Sequence, residues 1–336
     1  MAMPRNAKMD NATYSSPWNR FWNEPLRAER LALMRIILGV SMLAQQMIEM
    51  LPFLDEYYGP HGIAPAGLLD RTQLDYWYWP MLIFNSDDPV VVYSFFAAWM
   101  AVTLAFTVGF FTRTMNVALW FLTACFMVRN CMLLDGGDDT MQICIFLLML
   151  SPSGDALSFD AWWRRRQELS DAPVFIPAWP VRLIQIQLCV IYCTTGLVKL
   201  KGNLNVDEDG VWSGLFQGTW WDGTSIHYAL NYIIMSRYSY GSLPVPIWIT
   251  APVTYITVWW EALFPLLVLS RHTRPWTLAF GILFHIGIFL TLAIGFFSFY
   301  MIALYGVWVP CECWERWCGA VAPADTSNPP VAGPES

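Results

Sequence analysis

Apolar residues in this chain gather into long runs divided by short polar stretches, instead of alternating with polar ones. Eight runs approach the length of about 20 mainly apolar residues that carries a helix across a bilayer. They cover 31–51, 89–110, 115–132, 140–150 with its flanks, 181–200, 249–269, 276–294 and 296–310. The fourth and eighth are short, so the count is about eight. The pattern predicts an all-α fold, a polytopic integral membrane helical bundle.

Two connections are too long to be mere connectors, at about 53–88 and 201–248. Both are aromatic-rich, and the second carries Trp212, Phe216, Trp220, Trp221, Tyr228, Tyr232, Tyr238 and Tyr240. Anchoring at headgroup level accounts for such residues more readily than a ligand-facing role. A segment such as 223–236 is suited to lie as a short helix along the membrane surface. The organisation expected is an N-terminal arm over 1–27, one membrane domain over 28–310, and a cysteine-containing tail over 311–336 whose end, from Val321, has a disordered composition.

Composition agrees with the pattern. Residues are 56 % hydrophobic, 16 % aromatic and only 13 % charged, against roughly 25 % charged in soluble domains. The first 30 residues lack the compact apolar core and cleavage site of a signal peptide, so the first run is expected to act as an uncleaved anchor. With eight spans, Lys and Arg separate by side. The arm (Arg5, Lys8, Arg20, Arg27, Arg30), Arg113, the segment with Arg164, Arg165, Arg166 and Arg182, the pair Arg271 and Arg274, and Arg316 make 13 on one side, against 4 on the other (Arg71, Arg129, Lys201, Arg237). Because cytoplasmic loops accumulate basic residues, both termini are expected in the cytoplasm of a protein of the plasma (inner) membrane. The lipid bilayer is thus the first partner. A net charge of −7 argues against nucleic acid. The eight cysteines lie in or near spans or in the tail and suggest no disulfide framework; Cys311, Cys313 and Cys318 lack an evident fourth metal ligand.

The ionisable residues inside the runs are few: Arg35, Glu49, Lys199, Glu261 and His285, with Gln45, Gln46, Gln142, Gln185 and Gln187 as polar neighbours. Each needs a partner, because an unsatisfied polar group in lipid costs several kcal/mol. Lys199, one of three lysines, ends the run 181–200. It either snorkels to the interface, as Lys201 is expected to do, or is held in a desolvating pocket as a free amine able to act as a base. Tyr192 and Thr195 stand seven and four residues before it and share its helical face. Glu261 and His285 are near the middle of their runs; facing one another they would form either a packing hydrogen bond or a proton relay.

Other chemistry is poorly represented. The chain has no G-x-S-x-G, H-E-x-x-H or P-loop motif, and His61, His227, His272 and His285 are too scattered to suggest a metal site. The run Asp135-Gly136-Gly137-Asp138-Asp139 resembles a cation loop in composition, but a helix-capping turn suits it better.

Several short blocks occur together and in order. Arg35 with Leu38-Gly39 opens the first run, and Tyr58-Gly59-Pro60-His61-Gly62-Ile63-Ala64-Pro65 follows. Arg129-Asn130, Gly136-Gly137-Asp138, Ser151-Pro152 and Ser158-Phe159-Asp160 come next. The most distinctive is Thr195-Gly196-Leu197-Val198-Lys199-Leu200-Lys201-Gly202, joined by Trp221-Asp222-Gly223-Thr224, Tyr228-Ala229-Leu230, Glu261, His285 and Gly295-Phe296-Phe297-Ser298-Phe299. Over most of residues 28–310 the chain resembles the HTTM (horizontally transferred transmembrane) domain, the membrane part of the vitamin K-dependent gamma-glutamyl carboxylase superfamily.

The resemblance implies a role for Lys199. In the carboxylases the lysine of the Gly-x-x-Lys-Leu block is taken as the base that deprotonates vitamin K hydroquinone; oxygen then generates a strong base that removes a gamma-proton from a glutamyl side chain, and the carbanion captures carbon dioxide. By this resemblance Lys199 is the catalytic base, Glu261 and His285 support it, and Tyr192, Thr195 and Trp221 line the site of a reduced quinone, vitamin K or menaquinone hydroquinone. The substrate would be a secreted peptide or protein. The chain departs from the animal enzymes in ending soon after its last run and in the stretch 203–220 between Gly202 and Trp221. The alternative is a non-enzymatic membrane accessory factor in maturation or export of a secreted peptide, with Lys199 as an anchor. A transporter is disfavoured by the lack of repeated halves.

Overall fold

A computed structural model describes residues 16–63, 65–66, 84–130, 133–168, 173–206, 212–238, 245–310, 313–314 and 316. Each of the eight apolar runs forms a helix. The chain enters through α1 (Pro17–Asn23), capped by the Ser16 hydroxyl, and strand β1 (Pro25–Arg27). Helix α2 (Glu29–Gln45) continues through a π-helical turn at Gln46–Met50 toward the short α3 (Leu54–Tyr58). Helices α4 (Pro89–Val108), α5 (Thr112–Arg129), α6 (Gly136–Met149) and α7 (Phe159–Glu168) follow. After β2 (Phe175–Pro177) comes α8 (Trp179–Lys201), and then a hairpin of β3 (Gly202–Val206) and β4 (Trp212–Leu215). Helices α9 (Ser225–Asn231), α10 (Ile247–Leu269), α11 (Arg274–Thr291) and α12 (Phe297–Tyr305) complete the bundle.

Among the described residues, five helical segments are long and apolar enough to cross a membrane: Glu29–Tyr58, α4, α8, α10 and α11. Helix α5 carries Arg113, Asn116 and Arg129, while α6 and α12 have 14 and 9 residues, which is why they fall short of that measure. The molecule is a helical membrane protein. Two small antiparallel pairs, β1 with β2 and β3 with β4, were not expected from the apolar pattern. The first ties the end of the arm to the start of α8, and Arg182 of α8 adds an ion pair with Glu24.

Several polar side chains inside the bundle are held by specific partners. Arg35 is fully buried and donates to the carbonyls of Ser153, Ala156 and Leu157, so the guanidinium caps the turn after α6. Gln46 donates to Thr103 (3.0 Å), and Tyr300 donates to Gln45 (2.5 Å). Asp135 begins α6 with a capping box: its carboxylate accepts from Gly137 N (2.6 Å) and Asp138 N (3.2 Å), and the Asp138 side chain accepts from Asp135 N (3.1 Å). This is the expected capping turn. Cys313 is a free thiol, as are Cys125, Cys144, Cys189 and Cys193. Cys311, Cys318 and the tail from Val321 lie outside the described residues, as does most of 64–83 in the first long connection.

Candidate functional site

The site is built where α8 ends against the middle of α10. Close approach of the two helices depends on Gly196: a Cβ there would stand 2.3 Å from the Ala262 nitrogen and 2.7 Å from its Cα. One turn later Lys199 reaches across, and its Nζ lies 2.5 Å from Oε2 of Glu261. The Lys199 side chain is 20 % exposed and that of Glu261 6 %, so the pair is withdrawn from solvent and open on the lysine side. That opening is covered by Trp220, whose ring centroid is 4.7 Å from Nζ, a cation–π contact. The Thr195 hydroxyl donates to the carbonyls of Ile191 (2.9 Å) and Tyr192 (3.0 Å).

A turn of chain holds Trp220 in place. Gly202, with φ +68°, reverses the backbone where α8 stops, and a Cβ there would meet the Gln217 carbonyl oxygen at 2.4 Å. Trp221 then donates its indole N–H to the Leu200 carbonyl (2.9 Å), and Tyr255 of α10 donates to the Trp221 carbonyl (2.8 Å). The segment from Gly218 to Asn231 is thereby clamped over the ends of α8 and α10, with α9 lying within the expected 223–236 stretch.

Beneath the pair lies a buried network. The Tyr192 hydroxyl is 2.6 Å from His285 Nε2 and 2.6 Å from the Tyr305 hydroxyl. Tyr192 is further enclosed by Trp260 and Phe264, with ring centroids at 4.8 and 4.4 Å. Gly281 admits Tyr305, since a Cβ there would lie 2.1 Å from its hydroxyl.

Lys199 and Glu261 therefore meet directly. His285 bonds Tyr192, and no direct hydrogen bond joins it to Glu261, whose partner is Lys199. Thr195 and Tyr192 do share the Lys199 face. Trp221 serves as a latch through its N–H, and its neighbour Trp220 is the indole that touches the lysine. Trp220 and Tyr305 were not singled out by the sequence; Trp220 was one of many aromatics in a long connection, and Tyr305 reaches the site from a different helix. Among the described residues no group of His, Cys, Asp and Glu could hold a metal ion.

The family profile of the HTTM domain matches residues 23–314. The chain belongs to the HTTM family. The match takes in both helices that carry the Lys199–Glu261 pair, and α11 and α12 with His285 and Tyr305. No curated protein and no solved structure matches this HTTM chain.

Proposed function

We propose that this HTTM protein carries a quinol-dependent, carboxylase-like site in which Lys199 and Glu261 act together as the proton acceptor, modifying a secreted peptide or protein. The observation that carries the reading is the 2.5 Å approach of Lys199 Nζ to Glu261 Oε2 inside a helical membrane protein. An amine and a carboxylate sharing one proton are net neutral, which lowers the cost of keeping them in an apolar setting. The pair can take up a second proton from an acidic hydroxyl, and the resulting positive charge stays beside the anion left behind.

The residues present suit a reduced quinone. The pair offers an acceptor for a phenolic hydroxyl, and Trp220 offers an indole face beside it. The Thr257 hydroxyl, buried and without a hydrogen-bond partner in the structure, sits one helical turn from Glu261 on α10. A quinol, when bound, supplies the acidic hydroxyl and, with oxygen, the strong base that glutamyl carboxylation requires. The chain's own part is to hold the proton at Nζ and Oε2, to keep water out with Trp220 and the latch behind it, and to fix the surrounding dipoles through Tyr192, His285 and Tyr305. The same proposal includes about eight spans, with α5, α6 and α12 crossing alongside the five long segments, and both termini in the cytoplasm.

Oxygen-dependent consumption of vitamin K hydroquinone or menaquinone hydroquinone by the purified full chain tests the proposal. Lys199→Ala should slow it by about 10²–10⁴-fold. A folded Lys199→Ala protein that turns over at the wild-type rate would overturn it. Absence of turnover in the wild type, with a secreted precursor copurifying, would point to an accessory role in maturation or export.

A further inference from the structure

At the face of the molecule opposite Lys199, where α8 begins, the chain exposes a continuous aromatic surface. Phe110 touches Phe111 (4.6 Å between centroids) and Phe159 (5.5 Å), and Phe159 touches Trp162 (5.3 Å) and Trp163 (6.3 Å). These side chains are open: Phe111 is 62 % exposed, Trp163 52 % and Trp162 45 %. Leu104 and Val108, in the last turns of α4 just before this surface, are exposed as well.

Two features show that this surface is built. Phe111 and Leu157 are non-glycine residues in the left-handed region, at φ +44° and +45°, and both point apolar side chains outward. Each strained residue is held by a buried or part-buried charged group: the Phe111 N–H donates to Asp160 (2.9 Å), and the Leu157 carbonyl accepts from Arg35 (2.5 Å). The second feature is charge. Arg113, Arg165 and Arg166 are exposed beside the aromatic surface and have no carboxylate partner among the described residues. The nearby acids are occupied, Asp155 by Arg164 (3.1 Å) and Asp160 by the Phe111 and Thr112 N–H groups and the Thr112 hydroxyl. Arg166 lies over the Trp162 ring at 4.5 Å, so aromatic and cationic groups share one edge. The other aromatic cluster on this face, around Trp18 and Phe21, differs in that its Arg182 is paired with Glu24.

We propose that α7 and the α4–α5 turn form a docking surface for anionic phospholipid, with Phe159, Trp162 and Trp163 at the acyl boundary and Arg113, Arg165 and Arg166 on headgroup phosphates. Aromatic rings settle at that depth, and guanidinium groups bind phosphate oxygens in pairs. A surface of this kind fixes the depth of α7 in the leaflet and holds the turn that Arg35 and Asp160 organise.

The test is native mass spectrometry of the full chain in detergent, titrated with phosphatidylglycerol or phosphatidylcholine of identical acyl chains. Phosphatidylglycerol should bind about tenfold or more tightly. Arg113→Gln/Arg165→Gln/Arg166→Gln should bring the two lipids to near equality, and Trp162→Ala/Trp163→Ala should weaken both alike. Arg271→Gln, on another loop, should leave the preference unchanged and controls for a general charge effect. Inorganic phosphate at the same concentrations should not displace the lipid. Equal binding of the two lipids by the folded wild type, or a preference that survives loss of all three arginines, would overturn the proposal. So would a dimer that separates when Trp162 and Trp163 are replaced, because the surface would then belong to a second copy of the chain.

Discussion

Gly196 of α8 lies so close to Ala262 of α10 that no side chain fits between them, and Lys199 and Glu261 face one another because of that approach. The lysine follows the glycine by one turn and the glutamate precedes the alanine by one residue, so the helix contact and the ion pair form a single unit. Gly196→Ala should force the helices apart. Overpacking of this kind costs about 1–3 kcal/mol, and the expected outcome is a lower Tm in detergent together with lost quinol turnover. A Gly196→Ala protein with unchanged Tm and activity would show that the helices yield without moving the pair.

The pair's chemical and structural contributions can be separated. Lys199→Met leaves Glu261 buried without its cation, and breaking a buried pair costs about 3–5 kcal/mol. The Lys199→Met/Glu261→Leu double variant removes both charges and should recover most of that loss, as read by thermal unfolding. Turnover should stay absent in both. Recovery of activity along with stability would mean that the pair is only an anchor.

Tyr192 is the centre of the network beneath the pair, and it bonds both His285 and Tyr305. Tyr192→Phe strands two buried polar groups, whereas Tyr305→Phe leaves the Tyr192–His285 bond in place. At about 1–3 kcal/mol for each unsatisfied group, Tyr192→Phe should be the more damaging to Tm. The two changes should also be non-additive in a double-mutant cycle, since both delete the same bond.

The Asp135 capping box makes a further prediction. Asp135→Ala should lower stability by about 0.5–2 kcal/mol, measured by thermal unfolding. Calcium should leave the Tm of the wild type unchanged, because the carboxylates of Asp135 and Asp138 are engaged with backbone N–H groups. A rise in Tm with calcium would show that the turn binds a cation after all.

The helices were legible because most of the apolar runs are long, and at α6 the Asp135 capping turn marks where the helix begins. Lys199 stood out for the same reason in reverse, as a charge in an apolar run. Which partner each polar group would choose was not legible. Glu261 and His285 are both mid-helix, yet a shared helix face says nothing about which neighbouring helix it meets; Glu261 met α8 at its last turn and His285 met it two turns earlier. Trp220 and Trp221 are adjacent in a segment without helical or strand periodicity, so only the latch to Leu200 decides which indole faces the lysine. The β1–β2 and β3–β4 pairs are too short to leave an alternating signature.

The central claim is that Lys199 and Glu261 jointly receive a proton from a bound quinol. The chain has three lysines, Lys8, Lys199 and Lys201, so the ¹⁵Nζ signals of a lysine-labelled sample can be assigned with Lys199→Met as the reference. The measurement is the Lys199 ¹⁵Nζ shift on addition of vitamin K hydroquinone under nitrogen, with the same sample then given oxygen and assayed for quinol consumption. A shift of the Lys199 signal alone, lost in Glu261→Gln and accompanied by turnover in the wild type, is the expected result. An unmoved Lys199 signal in a sample that oxidises the quinol at full rate would contradict the claim and place the chemistry elsewhere in the molecule.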